Sequence, residues 1–365
     1  MQDKQSTENG LQGGRGTARD NPVGTDGFGF VEFASPEPEQ LARNLEMLGF
    51  VPVARHRRKQ VVAYRQGACL FLLDDEPGSY ARAFAAAHGP SVCGMAFRVA
   101  DPAQAHSRAL SLGAQGIDSD IGGGAISIPA LAGVGGTRLS LVNHSGNTDL
   151  LAALDFEPLP NAGRDSGGAG LLQIDHMTHN VHRGQMDTWA HFYERIFDFR
   201  EIRYFDIEGQ QTGLVSRAMA SPCGKIRIPI NESSDDKSQI EEYLREYKGE
   251  GIQHIAFSTA DIYHSVDTLR RAGVSFLSTS DAYYDAVDAR VPGHGEDLAR
   301  LRADGVLIDG VVGADGLLLQ IFTETMIGPI FFEIIQRKGN QGFGEGNFRA
   351  LFEAMEQDQI RRGTL

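Results

Sequence analysis

Gly251-Ile252-Gln253-His254-Ile255-Ala256-Phe257, continuing to Thr259-Ala260-Asp261, reads as a short strand with one histidine in an apolar run. Asp261 suits a helix N-cap, residues 262–272 carry the helix and Gly273 ends it. Three other places repeat the phrase. The first is Gly27-Phe28-Gly29-Phe30-Val31-Glu32-Phe33, followed by a helix striped by Leu41, Leu45 and Leu48 and by strands at 61–64 and 68–73. The second is 93–99, with Asp101 as N-cap, Pro102 at the first helical position, a stripe of Ala105, Ala109 and Leu112, and strands at 126–128 and 137–142. The third opens at Ile174-Asp175-His176; its helix bears Trp189, Phe192, Tyr193, Ile196 and Phe197, and its strands include 212–217 and 225–230. The fourth opens at Gln253 and closes with strands at 317–322 and 330–336.

The chain therefore spells strand, helix, then two or three strands, four times at intervals of about 65–85 residues. This is an α+β pattern too rich in non-local strands for a helical solenoid. Residues 155–172, with Pro158, Pro160 and several glycines, have the composition of a connector. The expected organisation is a disordered tail over 1–22, one domain over 23–154, a linker over 155–172, and a second domain over 173–365. The last ends in a helix over about 347–362 with Asn347 as its N-cap and Phe348, Leu351, Phe352 and Met355 on one face.

Composition narrows the function. The 365 residues carry a net charge of −14, which argues against a nucleic-acid surface or an anionic membrane as partner. Three scattered cysteines, Cys69, Cys93 and Cys223, fit a reducing compartment. No apolar run approaches the ~20 residues that span a bilayer, and residues 1–20 lack the apolar segment of a secretory signal. The expected location is the cytoplasm.

Only the second pair of copies carries chemistry. His176 heads copy three, His254 heads copy four, and Glu333 lies in the final strand, Phe331-Phe332-Glu333-Ile334-Ile335, where a carboxylate is costly without a partner. Two imidazoles and one carboxylate make the facial triad that holds iron(II) with positions left open. A single strand histidine is ordinarily a satisfied core residue; here two stand at matching places in the repeat. His179 and His182 compete with His176, but odd spacing puts His179 on the other face. The first pair offers Phe28 or Phe30, Gly94 and residues 137–141, which form no ligand set.

Gln253-His254-Ile255-Ala256, Leu319-Gln320-Ile321-Phe322-Thr323, Phe332-Glu333-Ile334-Ile335-Gln336-Arg337 and Gly342-Phe343-Gly344-Glu345-Gly346-Asn347-Phe348 resemble the 4-hydroxyphenylpyruvate dioxygenases of bacterial type. So do Pro229-Ile230-Asn231-Glu232, Lys237-Ser238-Gln239-Ile240 and, in the first half, 89–97. The resemblance implies the vicinal-oxygen-chelate (glyoxalase-like) fold, in which paired βαβββ modules curl into open barrels. It implies iron(II), Fe(2+), on His176, His254 and Glu333. It also implies that 4-hydroxyphenylpyruvate and dioxygen give homogentisate and carbon dioxide by oxidative decarboxylation, ring hydroxylation and side-chain migration, a step of tyrosine and phenylalanine breakdown. A homo-oligomer, tetramer or dimer, is implied as well.

The substrate pocket implied by this resemblance comprises Ser216, Pro229, Asn231, Gln239, Gln253, Gln320, Phe322, Phe331, Phe343, Asn347 and Phe348. Strand parity supports part of it: Phe331 shares a face with Glu333, Gln320 with Phe322, and Pro229 with Asn231. A proline at 229 suggests an edge or bulged position. Gln253 adjoins His254 and by simple alternation points the other way. The alternatives are 4-hydroxymandelate synthase, which shares substrate and metal set, an extradiol dioxygenase, and a non-catalytic binding protein on this fold.

Overall fold

A computed structural model describes residues 20–121, 128–143, 150–160, 168–208 and 212–363. The first module consists of β1 (Phe28–Ala34), α1 (Pro38–Met47), β2 (Val51–His56), β3 (Val61–Gln66) and β4 (Cys69–Asp74). A helix, α2 (Tyr80–His88), leads to the second module: β5 (Ser91–Val99), α3 (Pro102–Ser111), β6 (Gly116–Ile117), β7 (Ala130–Ala132) and β8 (Arg138–Asn143). After α4 (Leu150–Ala153) and β9 (Phe156–Pro158), the third module follows: β10 (Leu171–Val181), α5 (Met186–Phe197), β11 (Arg200–Glu208), β12 (Gly213–Ala220) and β13 (Arg227–Ser233). Across α6 (Gln239–Tyr247) comes the fourth: β14 (Gly251–Thr259), α7 (Ile262–Arg271), the short helices α8 (Asp281–Asp285), α9 (Val287–Arg290) and α10 (Leu298–Asp304), then β15 (Leu307–Val311), β16 (Gly316–Phe322) and β17 (Phe331–Lys338). Helix α11 (Glu345–Arg362) ends the chain.

Two curled sheets result, in the orders β6-β7-β8-β5-β1-β4-β3-β2-β9 and β11-β12-β13-β10-β14-β17-β16-β15. In each, the opening strands of two modules pair antiparallel at the centre, β1 with β5 and β10 with β14, and each pairs parallel with the last strand of its own module. The fourfold βαβββ reading thus describes the molecule. Asp101 and Asp261 cap α3 and α7, accepting from the backbone N–H groups of Gln104 (3.0 Å) and His264 (3.1 Å). The helices bury their stripes on the outer sheet faces, and one apolar cluster runs through both halves, with Phe50 and Phe71 of the first against Phe257 of the second.

Several boundaries differ from expectation. The later strand of the second module is Ala130–Ala132 rather than 126–128; residues 126 and 127 lie outside the described residues. The stretch 155–172 is not wholly a connector, because β9 adds to the first sheet beside β2 and Leu171 already opens β10. Proline and glycine mark turns there without revealing strand partners. Residues 1–19 of the expected tail and 161–167 of the linker lie outside the described residues. Helix α11 begins at Glu345 rather than 347, and its N-cap is Gly344, not Asn347. Gly344 has φ 80°, and a Cβ there would meet Gln320 Oε1 at 1.9 Å, so the helix can only start this close to the sheet on a glycine.

The interior of the first barrel is filled. Phe30, Val61, Ala63, Leu70, Leu72, Ala96 and Val142 form a separate cluster, closed by Leu151, Leu154 and Phe156. Nearby lie the buried carboxyls of Glu32 and Asp74. Burial, reinforced by the Glu32 carboxylate, pushes Asp74 up to about 7 from its ordinary 3.8. The native state then holds a proton that the unfolded chain releases, so stability falls as pH rises from about 4 to 7 and stays reduced above. Asp74→Asn keeps the acceptor oxygen bonded by the Glu76 N–H (2.8 Å) and removes the titration. Thermal melts should show it more stable than wild type at pH 8 by up to about 4 kcal/mol, at 1.36 kcal/mol for each pH unit between 3.8 and about 7, with no gain near pH 4. Equal melting shifts at both pH values would refute this account.

Candidate metal centre

The central strand pair of the second sheet decides which way each side chain points. Ile174 pairs with Phe257 and His176 with Ala256, so Asp175 is one extra residue on β10. Thr178 pairs with His254 and His179 with Ile252, so Gln253 is one extra residue on β14. A bulge puts two consecutive side chains on the same side. Asp175 and His176, and likewise Gln253 and His254, therefore both face the barrel interior, while Ile174, Met177, Ile252, Ile255 and Phe257 join the outer core. Gln253 therefore faces inward beside His254, against simple alternation. His179 falls on the outer face, where its Nε2 meets the Tyr193 hydroxyl at 2.8 Å and burial pushes the imidazole down to about 3.

Each bulged neighbour takes the Nδ1 of its histidine. His176 Nδ1 lies 3.0 Å from Asp175 Oδ1, and His254 Nδ1 lies 3.0 Å from Gln253 Oε1. Both Nε2 atoms are thereby turned toward Glu333, whose Oε2 is 3.1 Å from His176 Nε2 and 3.6 Å from His254 Nε2. The other carboxylate oxygen, Oε1, accepts from Gln320 Nε2 at 2.8 Å. Two imidazole nitrogens and one carboxylate oxygen thus converge within 4.8 Å of one another, with their remaining atoms already engaged. This donor set, oriented by outer hydrogen bonds, fits a divalent metal ion. Burial disfavours charge on His176, but the Glu333 and Asp175 carboxylates override it and push the imidazole up to about 9. Burial and the neighbouring His176 hold His254 well below its ordinary value.

The triad forms one end of a cavity. Its lining includes Ser216, Pro229, Asn231, Gln239, Gln253, Phe322, Phe331, Phe343 and Phe348, nine of the residues expected there. Phe331 stacks on His254 (centroids 4.7 Å apart), and Phe343 meets His176 edge-on at 5.4 Å. The lining also carries a polar arc: Ser216 faces Asn231 across β12 and β13, Asn231 Nδ2 approaches Gln253 Oε1 (3.5 Å), and Gln253 Nε2 donates to Gln239 Oε1 (2.7 Å). Helix α11 covers the cavity with Phe348, Leu351, Phe352 and Met355.

Two expected pocket residues stand behind this wall. Gln320 spans Glu333 and the Phe343 carbonyl (2.9 Å), and its Oε1 accepts from Asn347 Nδ2 (2.9 Å), which is itself held through Oδ1 by the Tyr283 hydroxyl (2.6 Å). Neither lines the cavity. Pro229 sits in β13, an interior strand and not an edge; the ladder to β10 begins only at Ile230, so the missing N–H lies outside that register. Thr178, Ile207 and Leu214 line the cavity without having been anticipated. Thr178, two residues from His176, was accessible by parity; its Oγ1 lies 3.0 Å from His254 Nε2.

The comparisons agree with this geometry. Residues 19–157 match the family described as "Hydroxyphenylpyruvate dioxygenase, HPPD, N-terminal", and residues 173–289 match the "Glyoxalase/Bleomycin resistance protein/Dioxygenase superfamily". The chain is 58% identical over 348 residues to the 4-hydroxyphenylpyruvate dioxygenase of Pseudomonas aeruginosa, covering 94% of this chain and 97% of that one. It is 59% identical over 350 residues to Hemolysin VllY of Vibrio vulnificus, covering 94% and 98%. A solved variant of 4-hydroxymandelate synthase from Streptomyces coelicolor superposes with a TM-score of 0.80 at 28% identity, covering 92% and 99%. Its bulged histidine strands, its glyoxalase-type barrels and its near-full-length identity with the Pseudomonas enzyme lead to one assignment: this chain belongs to the 4-hydroxyphenylpyruvate dioxygenase family.

Proposed function

We propose that the protein converts 4-hydroxyphenylpyruvate and dioxygen to homogentisate and carbon dioxide, using iron(II) held by His176, His254 and Glu333. The observation that carries this reading is the convergence of His176 Nε2, His254 Nε2 and Glu333 Oε2 on one end of a cavity walled by phenylalanines. Bound iron(II) would supply open positions for the 2-oxo acid and for dioxygen, and with them the oxidation of the ring.

The chain's own residues shape the rest. Phe331 and Phe343, packed on the two ligand imidazoles, hold those rings and give the substrate ring an apolar bed. Phe322 and Phe348 complete an enclosure that keeps water from the reacting centre. Ser216, Asn231, Gln239 and Gln253 offer donors and acceptors for the phenol end. Gln253 is held from both sides, by His254 Nδ1 and by Gln239, so it is pre-oriented. In this reading Gln320 and Asn347 act on Glu333 and α11 and do not touch substrate.

The same proposal makes the protein a cytoplasmic enzyme and a homo-oligomer. The free thiols of Cys69, Cys93 and Cys223 support a reducing compartment, and the oligomer rests on family resemblance alone. Among the described residues, no helix is long and apolar enough to cross a membrane.

The test is product identity. Full-length protein loaded anaerobically with iron(II) and given ascorbate, 4-hydroxyphenylpyruvate and air should yield homogentisate by mass spectrometry and NMR. Hydroxymandelate as the product would replace this reading with the synthase, and no turnover with stoichiometric iron would favour a binding role.

A further inference from the structure

Glu333 and Arg337 are four residues apart on β17 and so share a strand face. Glu333 meets the two histidines directly. Arg337 reaches one of them, His176, at one remove. Its Nε and Nη2 donate to Asp175 Oδ2 (2.7 Å) and Oδ1 (2.8 Å), a bidentate pair, and Asp175 Oδ1 lies 3.0 Å from His176 Nδ1. Its Nη1 donates to the carbonyls of Asn340 (3.1 Å) and Gly342 (2.6 Å). Those carbonyls belong to the turn that carries Phe343 onto the His176 ring and leads into α11. The other side of this turn is held by Gln320, which donates both to the Phe343 carbonyl and to Glu333. The turn before the covering helix is therefore joined to the supports of two of the three candidate ligands.

We propose that Arg337 is a positioning residue of the metal centre, fixing His176 through Asp175 and fixing, with its remaining donors, the turn that lays Phe343 against the same imidazole. This rests on the metal reading above. A planar fork with five donors can hold a carboxylate and two carbonyls at once; a lysine ammonium cannot match that geometry. The pair is nearly enclosed, with side-chain exposures of 12% for Arg337 and 6% for Asp175, so loss of one partner is not made good by water. Arg227 Nη1, 3.7 Å from Asp175 Oδ1, is too distant to replace the fork.

The test uses full-length protein stripped of metal and loaded with cobalt(II), whose visible absorption reports ligand geometry. Affinity is measured by competition with a chelator. Arg337→Gln should weaken cobalt binding about 10–100-fold, the usual effect of losing an outer partner of a ligand, and shift the visible bands. Arg337→Lys should recover only part of the affinity. Asp175→Asn should cause a similar loss, and the double variant should bind no worse than the weaker single, since the two act in series. In the cobalt-loaded protein, amides 341–344 of Arg337→Gln should exchange hydrogen at least about tenfold faster than wild type. Wild-type affinity and spectrum in Arg337→Gln would overturn the inference, as would additive losses in the double variant. If Arg337→Gln does not fold, Arg337→Lys makes the same comparison, and wild-type affinity there overturns it too. If wild-type protein takes up no cobalt, or His254→Ala binds it as tightly as wild type, the metal reading itself falls, and this inference with it.

Discussion

Glu333→Ala is expected to lower turnover of 4-hydroxyphenylpyruvate by at least about a thousandfold, some 4 kcal/mol at 1.36 kcal/mol per decade, and to leave the purified protein without metal. Glu333 is 1% exposed, and its two oxygens have separate tasks: Oε1 accepts from Gln320, and Oε2 faces both imidazole Nε2 atoms. In the proposed site the carboxylate supplies the only anionic donor. Among the described residues no second group of three His, Cys, Asp or Glu side chains converges in this way, so no neighbouring set stands ready to take over. Glu333→Gln separates ligation from packing. It fills the same volume and can still accept from Gln320, but a neutral amide is a much poorer ligand for a hard divalent ion. Both variants should therefore lose metal while Glu333→Gln keeps native circular dichroism. Iron content after anaerobic reconstitution and oxygen consumption with substrate are the measurements. Wild-type turnover in either variant would remove Glu333 from the ligand set.

Much of this could be read from the chain because the fold repeats. Asp101 and Asp261 announce helices α3 and α7, and the phrase around His254 recurs at 28–33, 93–99 and 174–176, so the fourfold βαβββ plan needed no tertiary information. The triad was legible for a related reason: a histidine at equivalent places in two copies, and a carboxylate in an apolar strand, are local anomalies. What could not be read is set by strand register. Alternation places Gln253 on the wrong face, and only the pairing of Thr178 with His254 and His179 with Ile252 reveals the bulge that turns it inward. The same holds for Asp175, an ordinary residue before a histidine until the register shows it beside His176 Nδ1. Gln320, placed beside Phe322 by parity, and Asn347, named through the resemblance alone, stand behind the wall, because neither parity nor resemblance gives a depth. Both point toward the site, but Phe343 and Glu333 stand between them and the cavity. Helix α11 was legible as an apolar face, while the surface it covers depends on contacts distant in sequence.

The first barrel keeps the same register with different contents, and its centre makes the second large prediction. Glu32 pairs with Gly94 where Thr178 pairs with His254, and Ser140 sits opposite Ala96 where Glu333 sits opposite Ala256. By this alignment Phe30, Gly94 and Ser140 occupy the three ligand places. A Cβ at Gly94 would lie 2.6 Å from Glu32 Oε2, so the room a histidine needs is taken by that carboxylate. Arg138, at the place of Phe331, supplies the positive charge. Its Nη2 donates to both Glu32 oxygens at 2.8 Å, its Nη1 bonds Asp120, and Arg138 and Glu32 are both fully buried. Burial disfavours the charge on Arg138, but Glu32 and Asp120 raise its affinity for the proton further than burial lowers it. Arg138→Met keeps much of the apolar volume and strands Glu32 with Asp74 close by. Breaking a buried pair from one side costs about 3–5 kcal/mol, and denaturant unfolding should show a loss of that size. Glu32→Gln/Arg138→Met, which removes both charges, should recover a large part of it, because the penalty comes from the stranded carboxylate. Turnover per folded molecule should stay within about twofold of wild type, since the proposed site lies wholly in the second barrel and none of Glu32, Arg138 and Asp120 lines it. A loss below about 1 kcal/mol in Arg138→Met, as for an exposed pair, would mean that this cation does not hold the first barrel together; a double variant no better than the single would place the cost in packing and not in charge.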